Sequence, residues 1–209
     1  MTYTRTNIAT GKWAVFLLTA FLLSGLAGCS NAPKPSFLST DITGADFGKG
    51  FNLVDHAGKL RTLEDFKGKV VVVFFGYTHC PDVCPATMGK LATAMTDLGP
   101  DASRVQVLFI TVDPENDNAE TLKEYLSAFN PTFLGLYGDT QAIKKTTREY
   151  NVVYQKHTDS SAGHHTDTVD HSTGTYIYDT RGKLRLYVSN DKGPDVFAHD
   201  ISELLKTSG

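Results

Sequence analysis

A continuous apolar run, Val70 to Phe75, is the most hydrophobic strand candidate in the chain. It reads as a central strand buried on both faces. Downstream, Met88, Leu91, Ala92, Met95 and Leu98 recur with a period of 3.6 residues. That spacing predicts a helix from about Pro85 to Leu98, stopped by Gly99-Pro100. Val105 to Val112 is a second buried strand. Leu122, Tyr125, Leu126 and Phe129 mark a second helix, with Asn118 as its cap and Asn130-Pro131 as its stop. Phe133 to Tyr137 reads as a short strand, and a helix opens at Asp139 or Thr140 and runs to about Tyr150.

Shorter patterns flank this middle section. Phe51 to Val54 and Leu60 to Leu63, around His56-Ala57-Gly58-Lys59, predict an N-terminal hairpin. Leu63 to Phe66 suits a brief helical turn. Val152 to Gln155 reads as extended, and Lys156 to Ser172 as a polar, histidine-bearing loop. Thr175 to Asp179 and Leu184 to Val188 form a hairpin around Thr180-Arg181-Gly182-Lys183, and an amphipathic helix follows from about Asp195 to Lys206. Strand–helix–strand in the middle predicts parallel crossovers, and the last hairpin adds antiparallel strands. The expected fold is α/β of the thioredoxin-like kind: a central mixed sheet flanked by helices, with an N-terminal hairpin. No internal repeat is visible.

The first residues form a different pattern. Arg5 and Lys12 precede an apolar stretch from Ala14 to Ala27, interrupted only by Thr19, Ser24 and Gly25. It is shorter than the roughly 20 residues a membrane span needs, and it suits the core of a secretory signal. It ends in Leu26-Ala27-Gly28-Cys29, which resembles a bacterial lipobox with Cys29 as the lipidated residue. The expected organisation is a lipoprotein-type signal peptide over 1–28, a tether over 29–48 that contains Pro33 and Pro35, and one domain over 49–209. The domain is then extracytoplasmic and held at a membrane by a lipid anchor.

Composition is ordinary for a globular protein, with 41% hydrophobic and 21% charged residues. Loss of Arg5 and Lys12 with the signal takes the 20 basic residues to 18 against 23 acidic ones, a net charge of −5. No basic block remains, which argues against a nucleic-acid surface.

Candidate chemistry gathers at the junction of the first buried strand and the first long helix. Cys80 and Cys84 stand there in Phe74-Phe75-Gly76-Tyr77-Thr78-His79-Cys80-Pro81-Asp82-Val83-Cys84-Pro85. Residues four apart share a helix face, so the two sulfurs can converge. A helix N-terminus favours thiolate, which predicts low thiol pKa values. Pro81 and Pro85 stiffen the loop, and Asp82 is a candidate N-cap. In an oxidising compartment such a pair forms a disulfide unless it is reduced or metallated. Three uses follow: disulfide exchange, copper ligation and zinc ligation. Structural zinc needs four protein ligands, and no second cysteine pair exists. Disulfide exchange usually has a two-residue spacer. Copper needs few ligands and accepts sulfur and nitrogen.

The same segment resembles the signature of the Sco/SenC copper chaperones. Thr111-Val112-Asp113-Pro114-Glu115 is similar to a second motif of that family. Asp170-His171-Ser172 followed by Thr175-Tyr176-Ile177-Tyr178-Asp179 is similar to a third, and the match runs in order from about Phe51 to Leu205. The resemblance implies a thioredoxin-like domain binding one copper ion, Cu(I) or Cu(II), through Cys80, Cys84 and His171. It implies a role in assembling the CuA centre of cytochrome c oxidase, whose CuA-bearing subunit is then the partner. Other copper chaperones or thiol reductants are further partners. The alternative is a thiol–disulfide oxidoreductase acting on the CuA cysteines, with Cys80 and Cys84 as its redox pair. On the first reading the protein is not an enzyme in the usual sense.

Asp113, at the end of the second buried strand, reads equally as support for a ligand and as a turn cap; Asp170 carries the same two readings. Asn116-Asp117 stands where many relatives of that family have Arg and then Asp. His164 and His165 are not part of the family pattern and read as a solvated loop, with a weak second metal site as the alternative. His79 is expected at the edge of the site, and His56, His157 and His199 at the surface. The Met88/Met95 stripe is expected in the core. Thioredoxin-like disulfide enzymes carry a cis-proline ahead of the hairpin strand. This chain has no proline between Thr132 and Gly193, and His171 stands at about that place.

Overall fold

The computed structural model describes residues 2, 35–159, 166–171 and 174–207, of which 155–159 and 166–171 are described as backbone. Residues from Pro35 onward form one compact unit. Its strands are β1 (Thr40–Asp41), β2 (Asn52–Asp55), β3 (Leu60–Thr62), β4 (Val70–Gly76), β5 (Val105–Thr111), β6 (Leu134–Tyr137), β7 (Tyr154–Asp159), β8 (Thr166–His171), β9 (Thr175–Tyr178) and β10 (Leu184–Val188). Eight of them form one sheet in the order β1-β10-β9-β4-β5-β6-β2-β3. β4, β5 and β6 run parallel, and the pairs on either side of them are antiparallel. The helices are α1 (Val83–Asp97), α2 (Ala119–Ser127), α3 (Thr140–Glu149) and α4 (Pro194–Thr207). This is the thioredoxin-like mixed sheet, flanked by helices and carrying an N-terminal β2–β3 hairpin.

Residues alternate between the two faces of β4. Val70, Val72 and Phe74 join one apolar cluster with α1, α2 and α4; Val71, Val73 and Phe75 join another with Ile143 of α3 and the Leu63–Phe66 turn. All six are essentially inaccessible to solvent. Each such burial stabilises the fold by roughly 1.5–3 kcal/mol, which makes β4 the natural centre of the core. Helix starts follow their caps. The Asn118 side chain accepts from the Glu120 and Thr121 amides, and Asp139 accepts from the Ala142 amide at 2.7 Å.

Two segments differ from expectation. The polar run beginning at Lys156 is not only loop: β7 and β8 pair as a separate two-stranded sheet. The residues from 35 to 48, assigned by sequence to the tether, are joined to the unit. β1 pairs with β10, the Gly48 amide donates to the Glu149 carbonyl at 2.8 Å, and the Tyr178 hydroxyl donates to the Gly48 carbonyl at 2.7 Å. Asp200 of α4, 0% exposed, accepts from the Leu38 and Ser39 amides at 2.9 and 3.0 Å and from the Ser39 hydroxyl at 2.5 Å. We expect Asp200→Ala to cost about 1–2 kcal/mol, because these donors then exchange a charged acceptor for water at the sheet edge. Chemical denaturation measures the loss, and hydrogen exchange should show it concentrated at residues 38–41.

Candidate metal centre

β4 ends at Gly76, and a loop from Tyr77 to Asp82 carries the chain to α1. The helix begins at Val83, two residues before Pro85, because proline is tolerated in the first turn where its missing amide has no partner to lose. Asp82 occupies the N-cap position without a side-chain capping bond. Cys84 is therefore the second residue of α1, and it is 0% exposed. Gly76 makes room for it: a Cβ there would lie 2.8 Å from the Cys84 sulfur and 2.9 Å from both the Phe109 and the Phe74 rings. Cys80 is half-buried in the loop, packed at the edge of both apolar clusters, and its amide donates to the Tyr77 carbonyl at 3.3 Å.

Cys80 and Cys84 lie in hydrogen-bond contact with one another. For Cys84 this corrects the expectation of a low thiol pKa. The bond from Cys80 and then burial drive the Cys84 thiol far above its ordinary range, and nearby Asp117 adds to the effect. A backbone hydrogen bond from Tyr77 to the sulfur opposes them and is outweighed. The helix N-terminus favours the anion, but its influence is smaller than the loss of solvent around a sulfur seated against β4.

Asp117, to which the sequence reading gave no role, underlies the loop. It is 2% exposed. It accepts from the Thr78 amide at 3.1 Å, the Thr78 hydroxyl at 2.5 Å and the Thr111 hydroxyl at 2.6 Å. Burial outweighs these bonds and holds its carboxyl above the ordinary range. Asp113 is 4% exposed and accepts from the Asn116 side-chain amide at 2.7 Å, so it closes the turn after β5. Asn116 thus supplies a neutral contact to the Asp113 carboxylate.

The other candidates separate clearly. His79 is exposed, with Nδ1 at 3.2 Å from the Thr78 hydroxyl. Tyr77, Met88 and Met95 are core residues. His56 is not simply a surface residue: it is half-buried, its Nδ1 accepts from the Gly135 amide at 3.1 Å, and burial lowers its pKa. His199 is partly exposed and bonded to Asp200 at 2.9 Å. The backbones of Asp170 and His171 lie on β8, paired with Gln155 and Tyr154, and His157 lies opposite Thr168. Cys29, His164 and His165 lie outside the described residues.

Register brings the start of β9 to the end of the sheet that carries the cysteine loop. Thr175 of β9 pairs with Phe74 in antiparallel sense, so the chain reaches β9 from the end of the sheet where β4 delivers the loop. His171 precedes Thr175 by four residues, a span of at most about 14 Å. Its backbone partner Tyr154 packs against the cluster that includes Tyr77, with Cys80 at its margin. Among the residues whose side chains are described, no group of three or more His, Cys, Asp or Glu is gathered for a metal.

A family model described as SCO1/SenC matches residues 39–206. The chain belongs to the SCO1/SenC family. The mitochondrial SCO2 homologue of Danio rerio is 36% identical over 159 residues, which cover 75% of this chain and 56% of that protein. The chain therefore spans little more than half the length of that Sco relative. Copper-bound ScoI of Bradyrhizobium japonicum superposes with a TM-score of 0.69 at 38% identity, covering 77% of this chain and all of that one. Apo Sco1 of Thermus thermophilus gives 0.72 at 37% identity, covering 83% and 99%. The Sco match starts at Ser39, the residue before β1. No described helix is long and apolar enough to cross a membrane.

Proposed function

We propose that the protein is an extracytoplasmic metallochaperone that carries copper for the CuA centre of cytochrome c oxidase. It holds one ion through the sulfurs of Cys80 and Cys84 and the imidazole of His171. The observation that carries this reading is the thiol pair, one sulfur sealed beneath a helix and the other in the adjoining loop. Soft sulfur donors suit Cu(I), and an added imidazole suits Cu(II) as well. The copper bound to the related ScoI supports the choice of metal. Uptake releases the thiol protons, since the thiolate is the ligand. Cys84 is then the retained donor and Cys80 the donor that a recipient can reach, so delivery proceeds by ligand exchange through the loop. A lipid on Cys29 would hold the domain at the membrane that carries the oxidase.

A second reading has the same pair reduce a disulfide on the CuA subunit. Two thiols here become a disulfide, and the partner's disulfide takes the two electrons and two protons. The half-buried Cys80 favours it as the attacking sulfur. Against it, the sequence has no proline between Thr132 and Gly193, where disulfide-exchange enzymes of this fold carry a cis-proline.

His171→Ala separates the two readings. We expect it to weaken Cu(II) binding by more than ~100-fold, beyond the 10–100-fold cost of losing an outer-shell partner, while thiol reactivity stays at the parent level. Competition titrations of the reduced protein measure this. Parent-like copper affinity in the variant would refute the three-ligand site.

A further inference from the structure

The loop that carries Cys80 is tied down at Thr78, two residues earlier, and the tie is unusual in kind. A carboxylate with almost no solvent exposure accepts both the amide and the hydroxyl of Thr78, and its partners are neutral groups. The same carboxylate accepts from the Thr111 hydroxyl, which in turn accepts from the Asp113 amide at 3.0 Å. One side chain therefore joins the end of β5, the turn after it and the start of the cysteine loop. Burying a carboxylate without a cation is costly, and a simple turn does not require it.

Cys84 needs no such tie, because α1 and Gly76 seat it in the core. Cys80 has neither support. Besides its packing at the cluster edges and the bond from its amide to the Tyr77 carbonyl, its place relative to Cys84 depends on a loop whose near end is fastened at Thr78.

We propose that Asp117 is the positioning residue of the cysteine loop, buckling Thr78 to the end of β5 and so holding Cys80 within bonding reach of Cys84. The inference rests on the reading that these two sulfurs bind copper, but it applies equally to closure of a disulfide between them. Loss of the buckle lowers the effective concentration of one sulfur at the other.

The test compares Asp117→Ala, Asp117→Asn and Thr78→Val with the parent protein. On metal-free protein, we expect Asp117→Ala to reduce the effective concentration of the pair about tenfold, which moves the disulfide midpoint about 30 mV more positive. Hydrogen exchange at the Thr78 and Cys80 amides should quicken alongside. On reduced protein, Cu(I) affinity measured against a chelator should fall about tenfold. Asp117→Asn, which keeps one acceptor for Thr78 and gains a donor toward Thr111, should recover most of each loss. If Asp117→Ala does not fold, Thr78→Val, which removes only the hydroxyl bond, should still show about a threefold loss.

A lower melting temperature with an unchanged midpoint and unchanged copper affinity would overturn the inference and leave Asp117 a structural residue. So would an Asp117→Asn variant as impaired as Asp117→Ala with its Thr78 amide still protected, since charge rather than position would then be at work. Failure of the parent itself to bind copper would count against the proposed function, whereas the midpoint and exchange data would still decide the role of Asp117.

Discussion

Cys84→Ser is expected to abolish copper binding while the domain stays folded. The sulfur of Cys84 packs directly against the backbone of Gly76, with Phe74 and Phe109 beside it. Serine keeps the side-chain shape, but its oxygen is a hard donor on a shorter bond and holds Cu(I) poorly. Cys80 alone then offers one soft ligand, too few to compete with a chelator. The stability cost should be about 1–2 kcal/mol, because a hydroxyl enters an apolar pocket with a backbone partner at Tyr77 still at hand. Copper stoichiometry after desalting and a denaturation curve measure the two effects separately. Retention of one equivalent at parent affinity would remove Cys84 from the ligand set.

Gly76→Ala is expected to cost about 2–3 kcal/mol, the upper part of the range for overpacking a dense core. Its backbone is not in the left-handed region, so the penalty comes from space alone. The added carbon meets three neighbours within 2.9 Å, and all three belong to side chains with 0% exposure. None is the loose end of a surface side chain that could swing aside. The strand is also held on both edges, by β5 and β9, so the backbone has little room to yield. The least costly response is a shift of Cys84 and the first turn of α1. We therefore expect slower disulfide closure and weaker copper binding to accompany the stability loss. Thermal unfolding with full retention of both would show that the pocket adapts without moving the sulfur.

The parts of the fold that could be read from the sequence are those where burial is complete or a cap is local. Val70 to Phe75 declares a central strand because every side chain is apolar, and Asn118 and Asp139 mark helix starts because their bonds span three residues or fewer. The β7–β8 pair escaped notice because Gln155-Lys156-His157-Thr158 and Thr166-Asp167-Thr168 have no apolar alternation to reveal a strand. β1 has two residues, too few for any period. At the site, the cysteine spacing and the strand-to-helix junction were legible. The burial of Cys84 was not, because it depends on the missing side chain at Gly76 and on rings from β4 and β5. The contact of Asp117 with the cysteine loop was not legible for a related reason: Thr78 lies 39 residues away, and only the parallel pairing of β4 and β5 makes them neighbours.

The eight-stranded sheet terminates at both sides in stubs, β1 with two residues and β3 with three. A passing chain finds too few vacant amides and carbonyls on either flank to add itself as another strand. The flanks of this sheet are thus poor templates for pairing with a second copy. Encounters then fall to loops such as the one that carries the half-buried Cys80.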